Sequence, residues 1–160
     1  MTYRIRGLEP GQFAHYFAMD ERELQGALAR RVLAGEAGRY PCRVSLQDAR
    51  PGDELVLANF TSHAVDTPYR HSFAIYVRKD AGEAAEFVDS VPPVLRQRAI
   101  ALRGYDKSGS LRHAAIALDD DVDAKIRELL EHAEIAYIDA HNAIHGCFAA
   151  RVQRYSESGQ

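Results

Sequence analysis

From residue 42 to 154 the chain is mostly a succession of short runs in which apolar and polar side chains alternate, separated by turn-forming clusters. Only one long amphipathic helical stripe interrupts them. This pattern restricts the fold more than any other feature. Period-two alternation marks strands with one buried face. Parallel neighbours would need a crossover of a dozen or more residues between them, usually a helix. The helices are too few, so the expected architecture is α+β, a single domain over 1–155. It has a mainly antiparallel, strongly curved sheet and two or three helices.

The runs are placed as follows. Residues 3–8 read as a first strand, and 10–18 carry Phe13, Tyr16 and Phe17 at helical spacing behind Pro10. Asp20 and Glu23 have capping-box spacing, which starts a short helix from 21 to about 28. Strands are expected at 30–34, ended by the break Gly35–Gly38, and at 42–46, where Cys42, Val44 and Leu46 share a face and Arg43 points the other way. The run 54–60 is apolar on both sides and reads as a doubly covered strand after the Pro51–Gly52 turn. In 69–78, His71, Phe73, Ile75 and Val77 share one face. Pro92–Pro93 reads as a rigid extended connection, and 97–105 with 111–118 as a hairpin joined by Lys107–Ser110. The helix is 120–133, with Val122, Ile126, Leu129, Leu130 and Ala133 as its stripe and acidic residues at its positive end. Strands 135–141 and 146–154 follow, and 156–160 reads as a frayed polar tail.

At 160 residues the chain is long enough to bury a core without disulfides or metal. The net charge of −3 excludes a polybasic nucleic-acid binder. No apolar window is long enough for a membrane helix, and the first residues lack the pattern of a signal peptide. Two cysteines make no disulfide framework, so the expected setting is cytoplasmic with reduced thiols. Arginine (17) far exceeds lysine (3), a bias that suggests a G+C-rich bacterial source. Phosphate-loop, dinucleotide, nucleophile-elbow and zincin motifs are all missing. No cofactor and no standard metal-ligand spacing is assigned.

Chemistry concentrates in the late segment Ile135–Phe148. On a strand, Tyr137, Asp139 and His141 lie on one face. A tight hairpin then brings His141, Asn142, His145 and Cys147 into one region. Three readings stand side by side. Cys147 is a nucleophile with His141 or His145 as base and Asp139 or Asn142 orienting the imidazole. His141, His145, Cys147 and Cys42 hold a metal. Or the segment is a polar hairpin around a small packed thiol. Cys42 reads as a core thiol, His71 as a core-edge histidine, and His15, His63, His113 and His132 as ordinary. The polar residues at strand ends, Arg43, Tyr69, Arg103 and Asn142, form the expected ligand-binding set. The leading expectation is a small-molecule-binding protein with a polar pocket at strand ends. The alternatives are a Cys/His enzyme using Cys147 and a metal-binding protein. Small or apolar residues at 76, 99, 101, 115 and 117 leave room for a homodimer.

The ordered set Tyr40-Pro-Cys-Arg, Ala49-Arg-Pro-Gly-Asp-Glu-Leu-Val-Leu, Pro68-Tyr-Arg, Arg103-Gly-Tyr-Asp and His141-Asn…Gly146-Cys resembles the bacterial domain-of-unknown-function family 1203, over about residues 3 to 154. The resemblance implies a single-domain bacterial protein. It implies no activity and gives no role to Cys42 or Cys147.

Overall fold

The computed structural model describes residues 1–36 and 40–157. Among the described residues, nine strands and two α-helices build the fold: β1 (Tyr3–Arg6), α1 (Glu21–Gly26), β2 (Ala29–Leu33), β3 (Glu54–His63), β4 (His71–Arg78), β5 (Glu86–Val88), β6 (Ile100–Tyr105), β7 (Leu111–Ala117), α2 (Val122–Leu130), β8 (Tyr137–Asn142) and β9 (Phe148–Arg154). Every strand pairing is antiparallel. The strands form a six-stranded sheet, ordered β5-β1-β9-β8-β6-β7, and a three-stranded sheet, β2-β3-β4. The α+β expectation holds, with two sheets in place of one. No described helix is long and apolar enough to cross a membrane.

One face of the large sheet carries Ile100, Leu102, Ile138, Ala140, Ala150 and Val152, and α2 closes this core with Val122, Ile126, Leu129 and Leu130. The helix stripe read from the sequence is thus the packing stripe, except at Ala133, which lies beyond the end of α2 and is exposed. A second core lies on the small sheet, where Val56, Ala58, Ile75 and Val77 meet Phe13 and Leu24. The capping box is present: Asp20 Oδ1 accepts from Glu23 N and Glu23 Oε2 accepts from Asp20 N, both at 2.8 Å.

Several local expectations are corrected. Residues 42–46 are a turn, not a strand. Leu46 N donates back to Cys42 O, and Leu46 takes a left-handed φ of 54°. Cys42, Val44 and Leu46 are buried as expected, but so is Arg43, at 2% exposure. A turn enclosed between two sheets buries residues of both parities, and alternation alone does not separate it from a strand. The segment 10–18 forms 3-10 turns, and Pro93–Leu95 another in place of an extended linker. β5 is an added edge strand of three residues. Ala115 packs against the α2 core and Ala117 is fully buried in it, whereas Tyr76 and Ala99 line a cleft elsewhere. The residues considered for a homodimer therefore do not make one exposed face. Gly38 and residues 158–160 of the expected tail lie outside the described residues.

The 42–46 turn is wedged against β1. Leu8 N bonds Arg43 O at 2.8 Å and Ala85 N bonds Val44 O at 3.0 Å. A Cβ on Gly7 would stand 2.0 Å from Val44 O, so only glycine lets the chain pass here. The turn also adds to the free edge of β4, where Arg43 N donates to Tyr76 O at 3.1 Å. It therefore joins the two sheets, and this location decides what Arg43 meets.

Candidate functional site

The β8–β9 hairpin and the 42–46 turn converge on Cys147. Arg43 extends from the turn into the hairpin. Its Nε donates to Phe148 O at 2.8 Å, its Nη1 to Pro41 O at 2.5 Å and its Nη2 to Cys147 Sγ at 3.1 Å. Asn142 Nδ2, at the end of β8, donates to the same sulfur at 3.4 Å. The backbone holds this arrangement: Asn142 N bonds Cys147 O at 2.9 Å, Gly146 N bonds Asn142 O at 2.7 Å, and Gly146 takes a φ of 80°. Burial works against the Arg43 charge and the Cys147 sulfur works for it. A guanidinium keeps its proton in proteins, so the cation has to be matched where it lies. The partners found for it are two carbonyls and a sulfur.

These residues open into a cleft of about 560 Å³. Its apolar walls are Pro41, Phe73, Ala74, Tyr76, Ala99 and Ile144; its polar lining is Arg43, Gln97, Arg98, Asn142, His145 and Cys147. Arg98 is held at the rim by Asp48, with Nη2 to Oδ1 at 2.5 Å. The volume falls in the range of small-molecule sites.

A second group of polar residues lies between the sheets. Tyr105, Tyr137, Asp139, His141 and Arg151 on the large sheet meet His63 and His71 from the small one. Asp139 is fully buried and accepts from Arg151 at both oxygens, at 2.7 Å and 3.0 Å. Arg151 also covers the Tyr137 ring at 4.3 Å. His63 bridges the Tyr137 hydroxyl at 2.6 Å and Tyr69 O at 2.9 Å. The His141 ring packs against Phe73 and His71, with centroids at 5.2 Å and 5.4 Å. His141 Nδ1 lies 3.0 Å from Gly146 O; a carbonyl only accepts, so this nitrogen carries the proton. Burial, with Arg103 adding in the same direction, holds the His141 imidazole down at about 3. Burial, then His63 and Arg103, lowers His71 as well.

Of the eight residues singled out in the sequence, the structure brings Arg43, Asn142, His145 and Cys147 to the cleft. Asp139 and His141 belong to the layer between the sheets. The charge of Arg103 acts on His71 and His141 there, and Tyr69 bonds the same layer through its carbonyl. The polar partners of Cys147 are Arg43 and Asn142, while His141 bonds a backbone carbonyl. His63, read from the sequence as ordinary, His71 and Phe73, read as one core-edge face, and Tyr76, considered for a homodimer, were not among the expected site residues. One signal was present: His71 begins the otherwise apolar β4 face of Phe73, Ile75 and Val77.

A family model described as a protein of unknown function matches residues 39–154, which leaves β1, α1 and β2 outside the matched range. No curated protein and no solved structure matches the chain.

Proposed function

Since the chain belongs to the DUF1203 family, whose description assigns no activity, we propose its function from the cleft alone: it binds a small molecule with an apolar body and an anionic or electrophilic end, presented to Cys147. The observation that carries this reading is the sulfur's setting. It accepts from two N–H donors, one of them a buried guanidinium without a carboxylate partner among the described residues. The two donors fix the sulfur at the wall of the cleft, where a bound molecule meets it. Asn142 holds the sulfur from a second side, and His145 lines the same cleft. The walls of Phe73, Tyr76 and Ile144 suit the apolar body of the ligand. The setting is reducing and cytoplasmic, in a bacterium, supported by two free thiols and the arginine bias.

The same observation favours nucleophilic attack by Cys147 as a second reading, in which the bound molecule is a substrate. One experiment addresses both. Folded protein is alkylated in parallel with iodoacetamide and iodoacetate, and the modified cysteine is located by mass spectrometry. Cys147 is expected to react while Cys42, fully buried, does not. Iodoacetate should gain several-fold over iodoacetamide relative to the unfolded chain, because its carboxylate is drawn to Arg43. Labelling of Cys147 no faster than Cys42, or no gain for the anionic reagent, removes the proposal.

A further inference from the structure

We propose that His71, Asp139 and His141 form a binding site for one divalent first-row transition-metal ion, between the two sheets and separate from the Cys147 cleft. One ligand atom from each of the three residues lies within 4.8 Å of the others. A tetrahedral ion with bonds of about 2.1 Å holds its ligand atoms roughly 3.4 Å apart, so small side-chain rotations close the set. Two imidazoles and one carboxylate are a donor set for such ions.

The nitrogens carry the argument. Nε2 of His141 and Nε2 of His71 are both buried without a hydrogen-bond partner among the described residues. His141 is fully buried. Its Nδ1 proton is committed to Gly146 O, so Nε2 presents a lone pair to the cluster. An imidazole that donates one N–H to a backbone carbonyl and turns its other nitrogen inward is the usual posture of a metal ligand. Asp139 adds a carboxylate with 0% exposure, and Arg151 occupies only one lone pair on each oxygen. The Asp139 carboxylate and His141 Nε2 bring lone pairs to one buried space, His71 Nε2 adds a second nitrogen without a partner among the described residues, and a cation among them would engage all three. The neighbouring charges of Arg103 and Arg151 oppose that cation and set a moderate affinity. His71, half-buried at the start of β4, gives the ion its way in.

Another trio, His113, His132 and Glu134, also has ligand spacing. It lies near the surface, and its His113 and Glu134 already engage each other at 2.8 Å. It serves as the control.

The test uses tag-free, full-length protein stripped with a chelator. Zinc binding is followed by competition calorimetry, and cobalt(II) by its visible absorption. Wild type should take up one equivalent, and the cobalt spectrum should lack a thiolate charge-transfer band. His71→Ala and His141→Gln should each weaken binding at least tenfold. His132→Ala and Cys147→Ser should leave it unchanged. Arg103→Met, by removing an opposing charge, should tighten it by about tenfold. A merely structural role for these side chains predicts no tightening. No uptake by wild type overturns the proposal, as does uptake that survives His71→Ala or is lost in His132→Ala or Cys147→Ser. If His141→Gln does not fold, His71→Ala, Arg103→Met and the cobalt spectrum decide the question. Because Cys147→Ser is expected to keep the metal, a failed cleft and a failed metal site give different results.

Discussion

Arg43→Met tests the central electrostatic reasoning. Methionine fills the space of the arginine stem but removes the donors to Pro41 O, Phe148 O and Cys147 Sγ. Leaving a buried acceptor without its donor costs roughly 1–3 kcal/mol. Two carbonyls give roughly 2–6 kcal/mol, less whatever is recovered because a cation no longer has to be buried. We expect a net loss of about 3 kcal/mol, read by urea unfolding followed by far-UV circular dichroism with an unchanged m-value. The sulfur's share comes from a double-mutant cycle with Cys147→Ala. A charge-assisted bond should give a coupling energy of about 1–2 kcal/mol, whereas independent sites add within roughly 0.3–0.5 kcal/mol. If Arg43→Met lies within about 1 kcal/mol of wild type, or the cycle is additive, the Arg43–Cys147 pair is not the interaction described above.

Two other perturbations probe the frame that holds the site. Gly7→Ala drives a methyl group into Val44 O and should cost about 3 kcal/mol or more, lowering Tm by roughly 6–12 °C in a domain of this size. Gly11→Ala, with nothing within 4 Å of the added carbon, should leave Tm unchanged; equal shifts would refute the wedge. Asp106 closes the β6–β7 hairpin by accepting from Ser108 N, Ser110 N, the Ser108 hydroxyl and Arg112. The Ser108 hydroxyl first, then Ser110 N, hold its carboxyl well below the usual carboxylate range. A depressed folded value means stability that is present above the unfolded value of about 3.9 and lost as pH falls below it. Asp106→Asn should therefore be less stable than wild type at neutral pH, with the gap narrowing below about pH 4; a gap independent of pH would contradict this.

The parts legible in the sequence were those set by local period and punctuation. The α2 stripe, the Asp20 capping box and the β6–β7 and β8–β9 hairpins follow from side-chain spacing and turn residues. The β8 face of Tyr137, Asp139 and His141 was read as such, and these residues share the layer between the sheets. Arg43 was misplaced because its turn carries the apolar–polar alternation of a strand in its sequence while burying both parities. The feature that distinguishes the two, Leu46 at positive φ, is imposed by tertiary packing on a residue with no preference for it. His63 was taken as ordinary and His71 as a core-edge histidine because their partners on β8 lie 70 to 74 residues away, across the gap between two sheets, where no periodicity points. β5, only three residues long, exists because β1 presents an edge to pair with.

The reach of Arg43 has a consequence for the order in which the molecule is made. Two of its bonds span 104 and 105 residues of chain. At ordinary rates of synthesis, Phe148 follows Arg43 by roughly 5–20 s. From the completion of β4 at Arg78 onward, the small sheet and its turn exist without Phe148 and Cys147, the two late groups that hold the guanidinium. Contacts so distant along the chain bring the added entropy of closing a long loop. The cleft is therefore a late product of folding, completed only when β9 closes against β8. The thiol of Cys42 is made early and packs within the small-sheet core, while Cys147 meets its cation only in the final step.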